Sequence, residues 1–288
     1  MSSMNNNNNL QRCRPDKKPL EIYMFIDPLC PECWALEPIL KKLHIQYGQY
    51  FRIKNVLSGK LTALNLTNKK KQENIANQWE KTASRSGMSC DGNLWFENPI
   101  DSPHLASIAI KAAELQGRHA GIRFFRKLQE NLFLGKQNVS NLEVLTDIAD
   151  HSKLDLQEFK NDVHSESASK AFQCDLRITA EMDVDEIPTL VFFNENIEDE
   201  GIKVTGMYPF EVYVQILEEM LSIRPEPQPL PPLEYFLEYY QLVATKEISV
   251  VYDMSIDQVE KTMKKWMLQK KVEKIPAKHG TFWRYLSQ

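Results

Sequence analysis

Cys30-Pro31-Glu32-Cys33 stands where an apolar run, Leu20 to Asp27, gives way to helix-forming sequence near Trp34. A strand that turns into a helix at a cysteine pair narrows sharply what the chain can be. The first sulfur lies against the positive end of the helix dipole, which favours a nucleophilic thiolate. Pro38 follows Cys33 by five residues, placed to kink that helix. Far downstream, Glu186-Ile187-Pro188-Thr189 leads into the apolar run Leu190 to Phe193. Pro188 thus stands at the mouth of a buried strand.

These features predict an α/β chain of the thioredoxin-like kind, with Cys30 and Cys33 at its redox corner; that fold implies a cis-proline loop packed against the pair, for which Ile187-Pro188 is the candidate. The chemistry is less determined than the fold. Cys30 as nucleophile with Cys33 as resolving thiol would make a thiol-disulfide oxidoreductase. Two cysteines are also half of a zinc site, but zinc takes four ligands. Cys13, Cys90 and Cys174 are single and scattered, so a shell would need a distant cysteine or histidine, and no metal or cofactor is expected. A third reading keeps both thiols as packing residues of a fold that no longer turns over. Glu32 weighs against a strong oxidant, because an acid between the cysteines supports the helix start yet opposes a thiolate. Pro31, Glu32 and Trp34 are candidates for surface beside the motif, although Trp34 is as well placed to pack beneath the helix.

The 288 residues, 42% of them hydrophobic, can bury a large core in one large or two modest domains. A net charge of -4 creates no field that calls for nucleic acid or an anionic membrane. The first nine residues are polar and asparagine-rich, without the apolar core of a signal peptide, and no later stretch is long and uncharged enough to span a bilayer. The reading is a soluble cytoplasmic protein with a disordered tail over residues 1–18. Its five cysteines are then mostly reduced, and a Cys30–Cys33 disulfide is transient or regulatory. Cys13, between Arg12 and Arg14, is exposed but incidental.

A second strand is expected at Phe51 to Leu57, then a helical block over about residues 67–181. Ser102-Pro103 starts one helix that stops at Gly117, and Ser140-Asn141-Leu142-Glu143 reads as a capping box. Asp155 with Glu158 repeats that logic. Strands return at Thr189 to Phe193 and Ile202 to Thr205, followed by a helix from Phe210 to Leu221. A helical insertion between strands is the layout of the DsbA-like branch, where it roofs the cysteine pair, and the domain spans residues 19–223. Residues 224–232 hold five prolines and form an extended linker. Residues 233–288 follow with helices at Leu233 to Leu242, Thr245 to Tyr252 and from Ser255 to about Lys271, then strands at Val272 to Ile275 and Phe282 to Leu286. That is a winged-helix-like pattern. The third helix exposes Lys261, Lys264, Lys265, Lys270 and Lys271, while Val259, Met263, Trp266 and Met267 can face inward. From Leu230 onward, nine basic residues meet seven acidic ones, too even a balance for a phosphate-binding footprint. A solvated face, a protein-docking module or a brace for the main body fits better than DNA binding. His104, His119, His151 and His164 do not cluster, and the ten glycines form no phosphate loop.

The run from Phe25 to Pro38, that from Ser102 to Gly117 and that from Glu186 to Phe193 resemble the SpxH/YjbH family, DsbA-like cytosolic adaptors for the ClpXP protease. The likeness covers nearly everything after about Leu20. It implies that the chain binds Spx, a thioredoxin-like transcription regulator of the disulfide-stress response, and promotes its degradation by ClpXP. It also implies a docking surface around the insertion and the cysteine corner, with oxidation of the pair or aggregation of the adaptor able to release Spx. Cys30, Cys33 and Pro188 match the family's pattern, and no residue contacting Spx or the protease is assigned by it. The competing reading is a cytosolic DsbA- or FrnE-like oxidoreductase. A DNA-binding redox sensor is a third.

Overall fold

A computed structural model describes residues 18–61, 68–196 and 198–287. Cys13 and the expected tail, apart from Lys18, lie outside these residues, as does the expected start of the insertion at residue 67.

Strand β1 (Leu20–Ile26) alternates its side chains. Ile22, Met24 and Ile26 join the main core, while Tyr23 and Phe25 pack on the other face with Val184 and Val191. Helix α1 (Pro31–Tyr47) begins three residues before Trp34. Pro31 occupies the first turn, where its missing N–H costs nothing, and Cys30 is the N-cap. Pro38 lies inside the helix and cannot donate to the Trp34 carbonyl. Strand β2 (Phe51–Leu57) runs parallel to β1, in register from Leu20 opposite Phe51 to Ile26 opposite Leu57.

The helical block comprises α2 (Lys69–Ser86), α3 (Leu94–Glu97), α4 (Pro103–Leu115), α5 (Arg118–Phe133), α6 (Leu142–His151), α7 (Leu156–Val163) and α8 (Glu166–Glu181). Asp155 caps α7 by accepting from the backbone N–H groups of Gln157 and Glu158. At α6 the cap is Asn141, not Ser140. The Ser140 hydroxyl instead accepts the Ser102 N–H at 3.3 Å, tying the start of α4 to that of α6. Strand β3 (Thr189–Phe193) pairs antiparallel with β1, and β4 (Ile202–Thr205) pairs antiparallel with β3, which gives the order β2-β1-β3-β4. Helix α9 (Phe210–Leu221) closes the domain.

Residues 224–232 are extended but not loose. The Gln228 N–H donates to the Gln46 carbonyl at 2.7 Å, and the Glu226 N–H donates to the Tyr50 hydroxyl at 3.1 Å. Next come α10 (Leu233–Tyr240), β5 (Leu242–Ala244), α11 (Thr245–Val251), α12 (Ile256–Leu268), β6 (Val272–Pro276) and β7 (Thr281–Tyr285). Their antiparallel sheet has the order β5-β7-β6, the helix–strand–helix–helix–hairpin plan of a winged helix. Helix α10 stops at Tyr240, two residues short of the expected end, and Leu242 instead opens β5. Gln241 takes a positive φ of 62°, which ends the helix and turns the chain into the sheet. Phe236, Val243, Ile248, Val259, Met263 and Trp283 form this domain's own core. Among the described residues no helix is long and apolar enough to cross a membrane.

Candidate functional site

The end of β1 and the first turn of α1 bring the cysteine pair to the edge of the main core. The Cys33 N–H donates to the Cys30 sulfur at 3.4 Å, and that sulfur faces the Ile187 carbonyl at 4.0 Å. The Ile187-Pro188 peptide is cis, and the Pro188 carbonyl accepts the Gly206 N–H at 2.7 Å. The two stretches singled out in the sequence, far apart along the chain, therefore meet in one corner.

Both thiols are free and buried, Cys30 at 5% and Cys33 at 4% exposure. Burial pushes the Cys33 thiol well up, and the hydrogen bond and charge of Cys30 push it the same way. Asp27, fully buried at the end of β1, contributes to that field. Its carboxylate accepts the Leu29 N–H at 3.0 Å and the Leu61 N–H at 3.2 Å, and its carbonyl accepts the Cys30 N–H at 3.1 Å. Burial raises its pKa to about 6 against the pull of the two N–H donors. Asp27 lies outside the cysteine motif, and the signal that marks it is an acid directly after the apolar run Ile22 to Ile26, three residues before Cys30.

A small cleft of about 140 Å³ opens beside Cys30, between Pro31, Ile75, Trp79, Trp95 and Ile187. Pro31, buried overall, forms part of its wall. Glu32, half-buried at its rim, accepts from the Thr82 hydroxyl at 2.6 Å and from Arg85 at 2.5 Å. Its charge is thus met by α2 of the roof. Trp34 is not surface. It has no exposure, and its ring stacks on Phe133 at 5.6 Å and on Phe282 of β7 at 6.2 Å, with the Arg126 guanidinium 4.3 Å above it. Among the described residues no three Cys, His, Asp or Glu side chains form a metal-holding group, at the cysteine pair or elsewhere.

The C-terminal domain closes on the back of this corner. Lys41 of α1 donates to Glu247 of α11, and Lys42 pairs with Asp253 at 2.5 Å. Arg126 of α5 bridges Glu247 at 3.2 Å and Glu130 at 3.0 Å. The tip of the β6–β7 hairpin, the wing, grips the roof: Lys278 and His279 both reach Glu80 of α2, at 2.7 and 2.6 Å, and the His279 N–H donates to the Ser89 hydroxyl at 3.2 Å. Lys278 also meets Asp91 at 3.3 Å. The lysine of the wing is thereby neutralised within the chain. On α12, Met267 is 39% exposed rather than inward; Lys271, past the end of that helix, is held by Glu234 at 2.7 Å.

The sequence profile of the Thioredoxin family matches residues 23–215. The ClpXP adapter protein SpxH of Bacillus subtilis (strain 168) is 58% identical over 94% of this chain and 91% of its own length. This chain belongs to the SpxH family. The SpxH of Halalkalibacterium halodurans is 56% identical over 94% of the chain and 90% of its own, and that of Bacillus cereus (strain ATCC 10987 / NRS 248) 47% over 95% and 93%. Among solved structures, a putative protein disulfide isomerase from Nitrosomonas europaea aligns with a TM-score of 0.63 at 21% identity, covering 72% of this chain and 98% of its own. The cytosolic disulfide reductase DsbM from Pseudomonas aeruginosa aligns at 0.54 and 13%, covering 70% and 95%. At those identities they share the fold with this SpxH-family chain, and more than a quarter of it lies outside each alignment.

Proposed function

We infer that this protein is a cytoplasmic adaptor that binds Spx and promotes its proteolysis by ClpXP. One observation carries the reading: the likeness to the SpxH proteins runs through about 94% of the chain, which takes in most of the C-terminal domain, whereas the redox-enzyme structures leave more than a quarter of the chain unaligned. A thiol-disulfide exchanger does not need a winged helix braced against its cysteine helix. The site is consistent with the same side, since both thiols are buried, Cys30 at 5% and Cys33 at 4% exposure, which limits the access of a substrate disulfide. Docking in this reading uses the cleft beside Cys30 and the roof helix α2, so that specificity comes from contact rather than chemistry. The engaged wing and the even charge balance of the C-terminal domain give nucleic acid no evident place.

The competing oxidoreductase reading draws on Cys30 facing the Ile187 carbonyl. Reconstituted degradation of Spx by ClpXP separates the two, comparing wild type with Cys30→Ala plus Cys33→Ala. Equal acceleration by both proteins is expected for an adaptor. No acceleration by wild type, together with Cys30-dependent reduction of a disulfide substrate, would replace the adaptor with the oxidoreductase.

A further inference from the structure

Trp34 is the residue next to Cys33, and four groups hold its indole. Phe133 stacks on one side. The other three all lead to the C-terminal domain. Phe282 of β7 lies nearly parallel to the ring, 8° from its plane. Arg126 sits over the ring and is itself fixed by Glu247 of α11. The indole N–H donates to the Ser89 carbonyl at 3.1 Å, and the Ser89 hydroxyl accepts from His279 in the wing.

Pro38 provides no N–H for the Trp34 carbonyl, so the turn that follows the cysteines lacks one rung of its ladder, while the Trp34 N–H still donates to the Cys30 carbonyl at 3.3 Å. A disulfide needs its sulfurs about 2.05 Å apart with a fixed torsion. Closing it draws Cys33 toward Cys30, and Trp34 follows Cys33. The domain interface joins the apolar contact of Phe282 with Trp34 to a buried ion pair, Lys41 and Glu247, at 5% and 0% exposure. Such pairs lose in desolvation much of what they gain in attraction, and undocking returns both groups to water. Docking that rests in part on such a pair is adjustable by small changes at Trp34.

We propose that the C-terminal domain and the Cys30–Cys33 pair are thermodynamically linked through Trp34: docking of the domain favours the dithiol, and formation of the disulfide loosens the domain. Oxidation joins the two sulfurs and passes two protons and two electrons to a low-molecular-weight disulfide, which leaves as two thiols. Linkage is reciprocal, so whatever disulfide formation costs the docked interface, undocking returns to the disulfide. This goes beyond the adaptor role and stands whether or not Spx is the cargo.

The test uses the full chain equilibrated in reduced and oxidised glutathione, with the state of Cys30 and Cys33 trapped by alkylation and read by peptide mass spectrometry. In Phe282→Leu, and in Lys278→Ala with His279→Ala, the equilibrium constant is expected to move at least about fivefold toward the disulfide, the lower end of ordinary allosteric couplings. Wild type supplies the reciprocal measurement without any variant: hydrogen exchange in β7 and the wing is expected to quicken at least fivefold on oxidation, with the sheet core of the main domain unchanged. Equal constants in folded variants, unchanged exchange in β7 on oxidation, or no disulfide at any glutathione ratio would each overturn the linkage. Should the variants fail to fold, the wild-type exchange decides alone.

Discussion

Lys41 of α1 donates to Glu247 of α11, and neither side chain reaches solvent to any extent. Glu247 also accepts from Arg126 at 3.2 Å and from the Ala244 N–H at 2.6 Å, so one carboxylate joins the cysteine helix, the helical roof and the C-terminal domain. Burial raises the pKa of Glu247, but Arg126, Lys41 and the N–H donor more than reverse it and hold the carboxyl below its ordinary range. Glu247→Ala leaves two buried cations short of a counter-charge, a loss that typically costs about 3–5 kcal/mol. Denaturant unfolding followed by tryptophan fluorescence is expected to show a loss of that order, with limited proteolysis cutting residues 224–232 first. A change below about 1 kcal/mol would mean that the junction is not a structural bolt.

Asp27 makes stability depend on pH. Its folded pKa of about 6 lies above the unfolded carboxylate value, so between about pH 4 and pH 6 the native state keeps a proton that the unfolded chain has released. Stability from this group is therefore present at low pH, falls as pH rises through that window, and is level above it. The two-unit difference corresponds to roughly 3 kcal/mol. Asp27→Asn removes the titration and also one acceptor, since the amide oxygen can take the place of one carboxylate oxygen but the amide nitrogen accepts neither the Leu29 nor the Leu61 N–H; that second loss is independent of pH. Wild-type stability minus variant stability is expected to drop by about that amount from pH 4 to pH 7. A flat difference would show Asp27 ionising equally in both states.

Much of this arrangement is legible in the chain itself. Cys30 at a strand-to-helix junction and Pro188 before a buried apolar run each carry a local signature, and the sheet brings them together because β3 pairs directly with β1. The caps are legible where the side chain serves its own helix, as at Asp155. At Ser140 the hydroxyl serves another helix, which no local pattern shows. Strand β5 is too short to signal, and it exists because β7 offers it a ladder. The burial of Trp34 and the placement of Glu247 depend on where the C-terminal domain docks, and docking leaves no period in the sequence. His279 is a lone histidine along the chain and becomes part of an ion cluster only across the domain boundary.

If the cleft beside Cys30 receives the cargo, its wall should be a binding hot spot. Ile75 is half-buried at the cleft and Gln78 is exposed on the same helix. A charge at Ile75 would have to be desolvated against Trp79 and Trp95 on docking, while in the free protein it can still reach water. Ile75→Glu is expected to weaken Spx binding at least about tenfold, as at the centre of an interface, with little change in unfolding midpoint. Isothermal titration against reduced Spx measures it. Unaltered affinity would move the docking surface elsewhere on the roof or onto the C-terminal domain.

Glu80 is where the wing meets the roof, and its ionisation sets how firmly they hold. Partial burial raises its pKa, but hydrogen bonds from Lys278, His279 and the Gly92 N–H bring it below the ordinary carboxylate range. An acid depressed in the folded state stabilises above its unfolded pKa and loses that contribution as pH falls through the folded value, so the latch should weaken below about pH 4.5. Asp91, Asn93 and Lys136 surround the same cluster, and Asp91 keeps a share of Lys278 when Glu80 is gone. Because the cluster is partly solvated, Glu80→Gln should cost no more than about 1 kcal/mol in global stability. Its effect is local: hydrogen exchange at His279 and Gly280 should speed several-fold in the variant at pH 7, while Ile22 and Phe25 in β1 keep wild-type protection. Wild-type exchange at the wing would place the hold on Phe282 and Trp34 alone, with the ion cluster a bystander.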